Sequence, residues 1–191
     1  MSKKSILRAI RQNQPQGPPL PDLPSFASDA PEPLAAFQAM VAAMGGQVAH
    51  AADFPDLGAL VSAYFPGETS VASTVPGFPG NIPMQDIASP AELETVGLAL
   101  IPAQWGVAEN GAVWVSEKDS LFRVLPFIAQ HLIVVLAKDR IVSNMHEAYQ
   151  RVQIDETGFG VFIAGPSKTA DIEQALVIGA QGARSFTVVL E

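Results

Sequence analysis

The chain has 191 residues, 48% of them hydrophobic and 16% charged, a length and balance that suit one α/β domain with a sizeable core. It contains no cysteine, which excludes disulfides, thiolate zinc sites, a cysteine nucleophile and thiolate-bound iron–sulfur clusters in this chain. The net charge of −8 is uneven: residues 1–21 carry Lys3, Lys4, Arg8 and Arg11 with no acid, while residues 22–191 hold 19 acids against 7 bases, a net of −12 that argues against a nucleic-acid-binding surface.

In chain order, residues 2–14 predict a short helix with Ile6, Leu7 and Ile10 at helical spacing. Proline then stops it, because seven of the 16 prolines fall between Pro15 and Pro33. Residues 1–33 are therefore expected to be a flexible basic leader and Pro-rich linker, or an arm that docks on a partner subunit, and residues 34–191 the α/β domain. No apolar run is long enough to span a membrane and the first residues lack a signal-peptide core, so a cytoplasmic location is expected.

Within the domain, helices are predicted over 34–44, ending at Gly45-Gly46, and over 57–65, 144–152 and 170–178. Strands are predicted over 47–51, 69–74, 96–101, 112–116, 132–137, 160–164 and 186–190, with a loop of Pro-Gly pairs over 75–83. This alternation predicts an open, largely parallel sheet with helices on both faces, in which ligands bind beyond the carboxyl ends of the strands.

Three stretches carry candidate chemistry. Gly165-Pro166-Ser167-Lys168-Thr169-Ala170-Asp171 follows a predicted strand, and its hydroxyls, Lys168 and free amides suit either the capping of a helix start or a cradle for a phosphate or carboxylate. Pro166-Ser167 intrudes between the second glycine and Lys168-Thr169, so the segment is not a nucleotide-hydrolysing P-loop. Glu109, in Gly106-Val-Ala-Glu-Asn-Gly111, is either a solvated turn acid or a nucleophile or base presented to a cleft. His131 opens a buried strand as a hydrogen-bonded structural residue or a catalyst, and Arg123 is a surface ion-pair partner or a fork for a substrate carboxylate. His146-Glu147 begins like a zinc-protease helix, but Gln150 occupies the place of the second histidine, so no metal site is expected; Glu147 and Arg151 read as a helix-surface ion pair.

The stretch from Gly165 to Glu173, followed by Leu176-Val-Ile-Gly179 and Gly182, closely resembles the C-terminal signature of the LUD-domain family, the lactate-utilisation protein C group. Gly106-Val-Ala-Glu-Asn-Gly111 is similar to that family's Gly-Ile-Ala-Glu-Thr-Gly segment, with Asn110 in place of threonine. The resemblance implies a fold like that of the sugar-phosphate isomerases and CoA transferases, and a non-redox role beside iron–sulfur proteins that oxidise L-lactate to pyruvate. It implies that this chain carries no cofactor, that the clusters sit on partner proteins, and that a small anionic metabolite binds among Arg123, His131, Ser167, Lys168, Thr169 and Asp171. Glu109-Asn110-Gly111 also resembles the turn whose glutamate is the nucleophile in one class of CoA transferases, which makes Glu109 the catalytic candidate of a stand-alone CoA-transferase-like or sugar-phosphate-binding enzyme. A non-catalytic assembly module, recruiting partners through residues 1–33, is the remaining reading.

Overall fold

A computed structural model describes residues 2–14, 17, 19, 21–22, 24, 32–154, 158–169 and 177–191. The first part of the chain forms α1 (Lys3–Gln12), α2 (Pro33–Ala43), β1 (Gln47–His50), α3 (Leu57–Tyr64) and β2 (Val71–Ser73). β3 (Leu98–Pro102), β4 (Trp105–Val107), β5 (Ala112–Ser116), α4 (Glu117–Ser120), α5 (Leu125–Ile128), β6 (His131–Leu136), β7 (Ile141–Val142) and α6 (Met145–Arg151) follow. β8 (Gly160–Ile163), β9 (Lys168–Thr169), β10 (Val177–Ile178) and β11 (Ser185–Leu190) complete the order.

Aliphatic runs with no polar alternation become the centre of the sheet, because both of their faces are covered. Five parallel strands lie in the order β1-β11-β6-β3-β2, with Leu98, His131 and Ser185 in one row of the register and Ile133, Leu100 and Thr187 in another. Successive side chains of β6 alternate between two cores: Leu132, Val134 and Leu136 pack with Phe37 and Val41 of α2, whereas Ile133 and Val135 pack with Leu60 and Val61 of α3. Helices thus cover both faces, as the sequence pattern predicts.

A second sheet, β7-β4-β5-β8, is not foreseen by that pattern. β4 and β5 form an antiparallel hairpin, β5 pairs antiparallel with β8, and β4 pairs parallel with β7. Val113, Val115, Val161 and Ile163 bring this sheet onto the same core as α2. Among the described residues no helix is long and apolar enough to cross a membrane.

Two local expectations are corrected. Lys168-Thr169, expected to lead into a helix over 170–178, is a strand paired antiparallel with Val177-Ile178, which that helix was to include; the intervening 170–176, with Asp171, lie outside the described residues. The predicted Glu147–Arg151 ion pair is not formed. The Glu147 carboxylate accepts from the Ser143 amide at 3.3 Å, and the Arg151 guanidinium lies 5.0 Å from the Trp105 ring centroid. An exposed i, i+4 pair stabilises by only ~0.3–0.5 kcal/mol, so either contact can displace it.

Candidate functional site

The two candidate motifs converge on α2. Its C-terminus closes with the Gly45 amide on the Ala42 carbonyl and the Gly46 amide on the Val41 carbonyl, both at 2.9 Å, the paired bonds of a Schellman cap. The Lys168 ammonium donates to the Met44 carbonyl in the same turn, placing a cation at the negative end of the helix. Gly165 adopts φ +77°, and a Cβ there would lie 2.6 Å from the Met44 carbonyl oxygen. Gly111, at φ +68°, lies against the last turn of α2, where an added Cβ would stand 2.7 Å from the Val41 nitrogen. Both glycines are set by the close approach of their turns to one helix.

Beside the Gly165 turn opens a cleft of about 310 Å³. Its walls mix polar and apolar surface: Phe127 of α5, Leu132 of β6 and Phe162 of β8 are among the apolar residues, and Ser167, Lys168 and Gln181 supply the polar side chains. The Ser167 amide donates to the Ala183 carbonyl at 2.8 Å, and its carbonyl accepts from Gly179 at 3.0 Å, so the backbone at this hydroxyl is held on both sides. The Thr169 hydroxyl oxygen is buried, with no hydrogen-bond partner among the described residues. A cation, a hydroxyl and an amide beside apolar side chains are groups whose chemistry suits a small organic anion.

The other predicted residues have their own neighbours. Glu109 is exposed in the β4–β5 turn, and its Oε2 accepts from the Met145 amide at 2.9 Å, in the first turn of α6, where the helix dipole favours a negative charge. Arg123 donates from Nε to Glu117 at 2.8 Å and lies 5.1 Å from the Phe159 ring centroid. His131 Nδ1 is 2.7 Å from the Ser185 hydroxyl, and its ring lies 4.9 Å from that of Phe65. Partial burial, and then the nearby Arg184 charge, push the His131 pKa below the usual imidazole value, with Glu68 opposing. Ser167 and Lys168 share the cleft; Glu109, Arg123 and His131 are not among the residues that line it. His131 stands at the amino end of β6, opposite the carboxyl edge where a ligand was expected. Among the described residues, no cluster of three or more His, Cys, Asp or Glu side chains is placed to hold a metal ion.

Comparison with known proteins bears on these motifs together. The profile of the LUD domain matches residues 90–190, more than half of the chain. The chain belongs to the LUD-domain family. Lactate utilization protein C of Geobacillus thermodenitrificans is 31% identical over 159 residues, covering 77% of this chain and 63% of that protein. The protein of the same name from Shouchella clausii is 31% identical over 98 residues, 48% of this chain and 42% of the relative. The alignments thus span from about two fifths to somewhat less than two thirds of these relatives' own length. In fold, the chain is similar to the crystal structure of a DUF162 family protein from Deinococcus radiodurans, with a TM-score of 0.60 and 20% identity over 86% of this chain and 99% of the other.

The LUD match begins after α2, yet the signature glycines of the LUD region rest on that helix. The motifs are therefore packing elements as well as candidates for chemistry. Sequence reasoning missed the Met44 carbonyl as the Lys168 partner and Ser185 as the His131 partner, 124 and 54 residues away respectively. It also missed Trp105, whose ring centroid lies 5.0 Å from the guanidinium carbons of both Arg140 and Arg151. The only signal for the first was a lysine two residues beyond a Gly-Pro turn; for the other two there was none.

Proposed function

We propose that this LUD-domain protein acts in lactate utilisation in the cytoplasm, as a non-redox subunit of an iron–sulfur system that oxidises L-lactate to pyruvate. The observation that carries this reading is the alignment, over 77% of this chain, with a relative named lactate utilization protein C. A chain without cysteine supplies no thiolate for an iron–sulfur cluster, so the two electrons released by lactate would pass to clusters on partner proteins. The cleft lined by Ser167, Lys168 and Gln181 has the chemistry for a small hydroxy acid: a cation for the carboxylate, and a hydroxyl and an amide for the remaining oxygens. Thr169 and Asp171 extend this set by their position in the sequence, and Arg123 and His131 are the further anion-binding candidates.

The test is growth. Deleting the gene in its host should abolish growth on L-lactate, and the wild-type gene should restore it; normal growth of the deletion strain, with no second lactate pathway present, would overturn the role. Titration calorimetry of the purified protein with L-lactate and pyruvate then asks whether this subunit holds the metabolite.

A second reading is favoured by the exposure of Glu109: a stand-alone enzyme in which this carboxylate attacks an acyl thioester, forming a mixed anhydride as the CoA thiolate leaves. Incubation with an acyl-CoA and borohydride trapping of the anhydride would reveal it. An unmodified Glu109 would dismiss it.

A further inference from the structure

Neither the Ser167 cleft nor Glu109 uses the cations gathered on Trp105. Gly106 pairs with Ile141 in parallel register, so the residues before them, Trp105 and Arg140, come side by side on one face of the second sheet. Helix α6 packs on that face through Ala148, against Val107 and Val142, and its last residue, Arg151, reaches the same indole. Each guanidinium carbon lies 5.0 Å from the ring centroid, so the two cations are separated by at most twice that distance. Both arginines are exposed, and Trp105 is half-buried beneath them.

Their charge is uncompensated in a chain with acids to spare. Residues 22–191 hold seven bases against 19 acids, and Arg123, which also stacks on a ring, is ion-paired with Glu117. Among the described residues, Arg140 and Arg151 have no ion pair and no side-chain hydrogen bond. Asp139, beside Arg140 on the Lys138–Arg140 turn, pairs with neither, and the Glu147 carboxylate of α6 is engaged by the Ser143 amide. Stacking fixes the guanidinium planes and leaves their N–H edges open. One arginine is enough to cover an indole; a second cation adds repulsion that a structural cover does not need. Trp114, opposite Trp105 in the β4–β5 hairpin, is 5% exposed and keeps a buried Nε1 with no hydrogen-bond partner, a further unused donor one strand away.

The fold places this cluster where a parallel sheet receives ligands. β3 leads through Gln104 into Trp105, and its neighbour β6 leads into the Lys138–Arg140 turn, so the arginines stand beyond the carboxyl ends of two adjacent central strands. The Ser167 cleft, which includes Leu132 near the start of β6, opens towards the other end. We infer that Arg140 and Arg151 form a second anion site, for a phosphoryl group carried by free phosphate or by a phosphate ester. Two forks of N–H donors match a dianion with several oxygens, whereas a single carboxylate is satisfied by one fork. The site stands independently of the lactate reading.

Trp105 and Trp114 are the two tryptophans of the chain, so intrinsic fluorescence reports on this site directly. Titrating the full chain at constant ionic strength with inorganic phosphate, and separately with glucose 6-phosphate, should give a saturable change in emission, with calorimetry giving the affinity. Arg140→Gln with Arg151→Gln should weaken binding roughly tenfold or more, because hydrogen bonds to a charged group are lost. Should that variant melt early, Arg140→Lys with Arg151→Lys keeps both charges but removes the forks, and it too should bind more weakly. Tighter binding of the ester than of free phosphate assigns the group to a metabolite; the reverse assigns it to phosphate itself. No saturable binding of either probe, an equal response to sodium chloride, or unaltered affinity in both double variants overturns the inference. Phosphate held instead by the basic helix α1 or by Lys168 gives the last of these results.

Discussion

Gly111→Ala tests whether the Glu-Asn-Gly turn is built around α2. The backbone there has φ +68°, which an alanine adopts at a cost of about 1–2 kcal/mol. The new Cβ would stand 2.7 Å from the Val41 nitrogen, 2.9 Å from the Met40 carbonyl carbon and 3.1 Å from the Val41 Cα, all backbone atoms of a helix whose Val41 is fully buried. Backbone cannot swing aside as a flexible side chain can, so overpacking adds a further ~1–3 kcal/mol. The total of roughly 2–5 kcal/mol should lower Tm by on the order of 10 °C in a chain of this size. Gly67→Ala is the matched control: φ is +87°, but nothing lies within 4 Å of the added Cβ, so only the conformational cost, about 1–2 kcal/mol, applies. Urea melts of both variants measure the difference. Equal losses at the two positions, or a loss below about 1 kcal/mol for Gly111→Ala, would refute the packing argument.

Lys168→Met should cost ~0.5–1 kcal/mol in a urea melt, by removing the cation from the C-terminus of α2, and Lys168→Arg should recover part of it. Glu109→Gln keeps an oxygen acceptor for the Met145 amide, so the loss of stability should stay under about 1 kcal/mol; the folded variant then isolates any chemical role of the charge. For His131, the folded-state pKa lies below the ordinary 6.5 while the unfolded chain retains that value, so the unfolded state takes up the proton first as pH falls. The histidine therefore costs no stability above pH 6.5 and an increasing amount below it. His131→Gln should flatten the fall in stability on acidification, and an unchanged slope would show that His131 is not its source.

The strands of the central sheet were legible because burial on both faces leaves its mark in composition, as in the almost wholly aliphatic His131–Leu136; Ala112–Ser116, in the second sheet, was legible as an apolar run after a Gly turn. Trp105–Val107 was hidden because Gly106 breaks its apolar pattern; a Cβ there would lie 2.7 Å from the Leu136 Cδ2 methyl and 3.1 Å from the Phe37 ring, both buried side chains. Ser167-Lys168-Thr169 misled because hydroxyls followed by Asp171 and Glu173 look like a helix start, whereas Lys168-Thr169 pairs with Val177-Ile178 in a two-stranded ladder. Local chemistry proposes a cap and longer-range pairing overrides it. The candidate site was legible only in part. Ser167 and Lys168 were found from their motif and do line a cleft, but its apolar residues come from α5, β6 and β8, which no single stretch of sequence joins.

The order β1-β11-β6-β3-β2 has a consequence for how the chain is made. Among the described residues β1 pairs with β11 alone, Gln47 opposite Thr187, so this early strand has no described neighbour in the sheet until residues 185–190 have left the ribosome. Until then the emerging polypeptide carries β1 as an unpaired edge, and β6 lacks one of its two neighbours. Pairing across so long a loop is slow, and open edges invite association with other nascent chains. The closing strand thus sets the moment at which the central sheet of the newborn protein can be completed, with β11 seated between β1 and β6.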